Sequence, residues 1–177
     1  MENDNGSLAK SCFDCVDCAT WEPQPFTDDN FSFKINGPGV RYEIGLGIQV
    51  GWIVWVNGPY QPGVYNDDQI ARTMGLWEAL APGEKFLADS IYTGWRAITP
   101  NGRNNPDQYM KKRVMARHET INSKFKRFAI LRVEFRHGNY RHGAVFNAIA
   151  MICQVEIEVE SPLFEVDYDD LRYDQFE

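Results

Sequence analysis

Apolar residues are distributed in two ways along this chain, as short dense runs in its first part and as a long helical stripe further on. Ser11–Cys18 (SCFDCVDC) is such a run and predicts a short buried strand whose side chains alternate between two faces. Arg41 to Val50 and Trp52 to Val56 place β-branched and aromatic residues on both sides of Gly51, the pattern of an antiparallel hairpin. Between these segments, from Trp21 to Gly39, prolines, glycines and Asp28-Asp29-Asn30 exclude a long regular element. A helix is predicted from about Gln69 to Leu80, with Asp67 or Asp68 as N-cap, Pro82-Gly83 as its stop and Ile70, Met74 and Trp77 as its stripe. Lys85–Asp89 (KFLAD) reads as a central strand that delivers Asp89 to its C-terminal edge. A loop through Pro100, Gly102 and Pro106 follows. Val114, His118, Ile121, Phe125 and Phe128 then recur at four-three spacing, which predicts one buried stripe on a helix from about Asp107 to Phe128. A last helix is expected over Gly143–Val155.

That order, strand, hairpin, helix, strand and two helices, predicts an α/β fold with a mixed sheet flanked by helices. With 177 residues and 44% apolar content, one domain can fill one core. It is expected to span residues 11–158, after ten polar, disordered residues and before an acidic tail at 159–177. No stretch has the roughly 20 apolar residues of a membrane helix, and the first residues lack a signal sequence, so an intracellular protein is expected.

Charge modifies this picture. The net charge of -7 argues against a nucleic-acid partner, yet Arg96 to Arg141 holds twelve Lys and Arg against Asp107, Glu119 and Glu134. From Glu156 onward nine acidic residues face the lone Arg172. A basic middle with an acidic end is consistent with one polyanion-facing surface, and equally with a solvated helix face and a solubilising tail. Lys124, Lys126, Arg127, Arg136 and Arg141 are the candidate phosphate contacts.

Candidate chemistry is of several kinds. Cys12, Cys15 and Cys18 have the spacing C-x-x-C-x-x-C, but a strand sends Cys15 to the face opposite the other two, and only Cys153 is left as a fourth thiol; buried structural thiols are the expectation. His118 lies in the apolar stripe and reads as a core histidine, whereas His137 and His142 sit in a Gly-punctuated loop. Trp52, Trp55 and Trp77 are expected in the core, and Trp95, just beyond Asp89, either there or stacked on a base. Nothing resembles a Ser-His-Asp or Cys-His arrangement. Phosphodiester chemistry with hard divalent ions needs carboxylates converging from separate elements, and Asp14, Asp89 and Glu119 fit that need, as do other triples among 25 acidic residues.

Longer motifs narrow the choice. Asp14 to Phe26 (DCVDCATWEPQPF) resembles the segment that carries the first catalytic aspartate of Harbinger-type DDE transposases, and Gly37–Glu43 (GPGVRYE) follows as in many members. Pro62–Ile70 (PGVYNDDQI), Leu87–Gly94 (LADSIYTG) and Arg117–Leu131 (RHETINSKFKRFAIL) are similar to the family's later motifs, in its order. The resemblance implies an RNase H-like fold and Asp14, Asp89 and Glu119 as both catalytic and metal-holding residues. It also implies Mg2+ or Mn2+ at a two-metal site, and attack on a DNA phosphodiester by water and then by a freed 3′-hydroxyl. A nuclear location, oligomer formation and, with no helix-turn-helix before Asp14, a separate DNA-binding partner protein belong to the same expectation. Cys15-Val16 replaces the family's Gly-Thr and Ile91 its glycine. A domesticated, catalytically inactive DNA-binding or protein-interaction module is the alternative.

Overall fold

The computed structural model describes residues 9–25, 27–99 and 106–166, with the side chains of 106–110 left out. The first eight residues, most of the loop through Pro100 and Gly102, and the tail from 167 lie outside the described residues. The elements are β1 (Ser11–Ala19), β2 (Phe31–Ser32), β3 (Gly37–Gly47), β4 (Ile53–Tyr60), α1 (Asp67–Thr73), α2 (Leu76–Ala79), β5 (Phe86–Ala88), β6 (Ala97–Ile98), α3 (Pro106–Arg127), α4 (Ala129–Arg132) and α5 (Asn139–Val159). This is a mixed α/β fold.

One sheet organises it. β1 lies between β3, antiparallel to it, and β5, parallel to it; β6 is parallel to β5 at one edge, while β4 and the short β2 both pair antiparallel with β3 on its other side. Alternation along β1 builds two cores. Cys12, Val16 and Cys18 pack with Val114, Ile121 and Phe125 of α3 and Phe146, Ile149 and Cys153 of α5. Phe13 points the other way, into a smaller cluster with Ala71, Leu76, Phe86, Ala88 and Tyr92. Helices thus cover both faces.

The four-three stripe is buried as predicted at Val114, His118, Ile121 and Phe125, with Phe128 packed at its end. The strand through Leu87, the hairpin turning near Gly51 and the first strand also agree with the pattern. The predicted helix 69–80 is in fact two, because Gly75 adopts a left-handed φ of 100° between them. Its cap is neither Asp67 nor Asp68 but Asn66, whose side chain accepts from Gln69 N while the Gln69 side chain accepts from Asn66 N. α5 begins four residues before the predicted start, so His142 lies on a helix rather than in a loop; it is buried, with Nδ1 2.7 Å from Tyr42 Oη. Trp52 is 45% exposed rather than in the core, since it lies on the turn into the edge strand β4. Among the described residues no helix is long and apolar enough to cross a membrane.

Past α5 the chain folds back onto the domain. Leu163 and Val166 are buried in the larger core, and the Arg117 side chain, 1% exposed, donates to the Phe164 carbonyl at 3.0 and 2.7 Å and to the Ile48 carbonyl. These residues of the expected acidic tail therefore pack as part of the fold.

Candidate active site

β1 and β5 run parallel with Phe13 opposite Ala88, so the next residue of each strand line, Asp14 and Asp89, emerges side by side where β5 ends. Each carboxylate is anchored by a backbone amide: Asp14 Oδ1 accepts from Cys15 N at 2.8 Å and Asp89 Oδ1 from Ile91 N at 2.9 Å. Burial pushes the Asp14 carboxyl up to about 6; Lys34 and the Cys15 amide oppose the shift, and the neighbouring charges of Asp67 and Asp89 add to it. Asp14 and Asp89 are thus electrostatic neighbours.

Glu119 occupies an exposed position on α3. It follows His118, which is buried and hydrogen-bonded to the Cys12 backbone two residues before Asp14. Burial holds the His118 imidazole down near 4, as expected for a neutral core histidine, and its Nε2 has no partner. Among the described residues, no three His, Cys, Asp or Glu side chains come together closely enough to hold a metal ion. Two aspartates are brought together; the glutamate is not drawn in with them. As oxygen donors of like charge, one of them partly desolvated, the aspartate pair fits a hard divalent cation. A third donor is not assembled around them.

Beside the pair lies a charged network that the sequence did not reveal. Asp17 and Arg41 face each other across β1 and β3 and form a bidentate ion pair, Nε to Oδ1 2.7 Å and Nη2 to Oδ2 2.8 Å, which Ser32 completes. Arg41 also reaches buried Asp67 at 2.8 Å, and Lys34 Nζ bridges Asp67 Oδ2 at 2.9 Å and the Cys15 carbonyl at 3.1 Å. Lys34 is the principal positive neighbour of Asp14. Its only signal in the sequence is an isolated cation in a turn-rich stretch, and its partners are distant in sequence.

The cysteines are all buried and free. Cys12, Cys18 and Cys153 share the larger core while Cys15 faces away and meets Tyr92 Oη at 3.7 Å; burial pushes the Cys12 and Cys18 thiols up to about 12. That environment suits neutral thiols.

Of the basic candidates, Lys124 is buried and donates to Glu156 Oε1 at 2.7 Å and Ser161 Oγ at 3.1 Å, and Arg127 pairs with the other Glu156 oxygen. Lys126, Arg136 and Arg141 are exposed. The Arg136 guanidinium lies 5.3 Å from the centroid of Trp21, at the end of β1, where Thr20 bridges Phe135. Trp95 is exposed, not core.

A mixed sheet covered on both faces, with one aspartate inside the central strand β1 and a second at the end of the parallel neighbour β5, is a layout suited to phosphate chemistry assisted by divalent cations. A profile of the DDE superfamily endonucleases matches residues 13–154. The chain belongs to that family, and membership suggests a transposase-type nuclease and implies DNA as the substrate. Domains of this family generally use divalent metals. Searches of curated proteins and of solved structures returned no match.

Proposed function

We propose that this chain is the catalytic domain of a Harbinger-type transposase, cutting DNA in the nucleus with Asp14, Asp89 and Glu119 as its carboxylate set. The observation that carries this reading is the emergence of Asp14 and Asp89 from neighbouring parallel strands at matched positions. The strand order β4-β3-β1-β5-β6, three antiparallel strands followed by two parallel ones, supports an RNase H-like assignment.

Asp14 and Asp89 would hold Mg2+ or Mn2+, with Glu119 as a third carboxylate that would have to be drawn in from α3; when bound the ion supplies positive charge to the reacting phosphodiester. The protein's own groups prepare that place. Backbone amides of Cys15 and Ile91 orient the two aspartates, and Lys34 favours the charged form of Asp14. Exposed Lys126, Arg136 and Arg141 would contact backbone phosphates, which orient a duplex without reading its sequence. Lys124 and Arg127 would join them when Glu156 yields them.

Nicking of supercoiled plasmid DNA with Mg2+ or Mn2+ tests the reading. The wild type should nick, and Asp89→Ala should fall to background. Equal nicking by both proteins, or none by the wild type with either ion, overturns it.

A further inference from the structure

The residues between β5 and β6 form a loop held firmly against α1. Thr93 accepts Asp68 as a double partner, donating from N at 2.7 Å and from Oγ1 at 3.0 Å, and Arg72 pairs with the same carboxylate at 2.9 Å. Tyr92 is buried, and Ala97 N closes the loop on the Gly94 carbonyl at 3.2 Å. From this fixed support Trp95 stands 59% exposed, where the chain has returned to the start of β5 to begin β6.

The surroundings of the indole are ordered as well. Arg96 lies over its ring at 4.6 Å and is itself tied to the Ala81 and Glu84 carbonyls at 3.1 and 3.2 Å. Trp77 meets it near perpendicular, with centroids 6.4 Å apart, and carries Arg72 over its own ring at 5.0 Å. Two indoles and two guanidiniums therefore share one surface. Arg96 is in no ion pair among the described residues, so its charge remains available to an anion.

An exposed indole contributes little to folding, because most of its area stays in water. Held rigid beside a cation, it suits a planar partner carried on an anionic chain: a nucleobase with its phosphates. Bases inside a duplex are already stacked and cannot reach a side chain of this kind. We infer that Trp95, braced by Arg96 and Trp77, is a stacking platform for an unpaired base of DNA, at the end of the sheet where β5 begins rather than the end from which Asp89 emerges. The inference rests on the nuclease reading for its substrate and adds the form of that substrate, DNA with a single-stranded stretch.

Equilibrium binding of the full chain to labelled DNA, without divalent ions so that nothing is cleaved, tests it. Two probes are compared, a duplex with a short single-stranded extension and a fully paired duplex of equal length. Trp95→Ala should weaken binding of the extended probe roughly 5- to 100-fold and that of the paired probe by no more than about twofold. Trp95→Phe should retain most of the difference. Equal losses on both probes, no loss on either, or a wild type that does not prefer the extended probe would overturn the platform. A wild type that needs Trp95 for the extended probe yet nicks no plasmid keeps this inference and loses the nuclease reading. Nicking that depends on Asp89 together with binding indifferent to Trp95→Ala has the opposite meaning.

Discussion

Glu43 is a fully buried carboxyl with one satisfied oxygen: Oε2 accepts from Trp55 Nε1 at 2.9 Å, and Oε1 has no partner. Burial raises it from 4.5 to about 7 against the hydrogen bonds of Trp55 and Asn57. Because the folded state holds this proton more tightly, the associated stability is complete below pH 4.5 and is lost as pH rises through about 7. Glu43→Gln removes that loss. Between pH 5 and 8 the variant should lose about 1 to 3 kcal/mol less stability than the wild type, read from urea unfolding at both pH values. His118 and His142 run the opposite way, both held down near 4, but they are common to both proteins and cancel in the comparison. Identical pH dependence would mean that Glu43 is ionised in the folded protein. Nothing in RYEIG betrays this residue. A carboxylate in an alternating strand reads as facing water, and its hydrogen-bond partners Trp55 and Asn57 lie across the hairpin on β4.

Among the elements, those with a strong period were legible in the sequence and those decided by a single backbone angle were not. The stripe from Val114 to Phe125 defines α3 because every fourth or third residue must enter one core. β6 was missed because two residues, Ala97 and Ile98, hold no period at all; their pairing to Phe86 and Leu87 places them. Gly75 illustrates the backbone case. Its left-handed φ splits what the apolar spacing presents as one helix, while a Cβ there would meet nothing within 4 Å. Gly75→Ala should therefore destabilise by about 1 to 2 kcal/mol through conformation alone and lower the melting temperature by a few degrees. A higher melting temperature would show that a continuous helix over this stretch is the preferred form. The candidate site divides in the same way: the placement of Asp14 and Asp89 follows from strand order, whereas the exposed position of Glu119 depends on how α3 is rotated against β1.

For the molecule as a whole, counting charges along the chain located a basic segment but not how much of its charge is free. Glu156, near the end of α5, takes up both Lys124 and Arg127, so the surface offers less positive potential than the sequence suggests. Glu156→Gln should release both cations. If they then reach phosphates, the slope of log binding constant against log salt concentration should steepen by up to about 2. An unchanged slope would show that neither cation lies along the DNA path. The linear sequence hides this arrangement because Glu156 and its two partners belong to different helices.

The segment beyond α5 shows that the folded unit does not finish where its last helix does. Leu163 and Val166 close over the core, and the carbonyl of Phe164 takes two of the hydrogen bonds of Arg117. Cutting the gene back to the last turn of α5 would strand a guanidinium inside the protein with only Ile48 to bond it. The handful of residues after that helix works as a stopper, and a shortened reading frame would leave the vessel open.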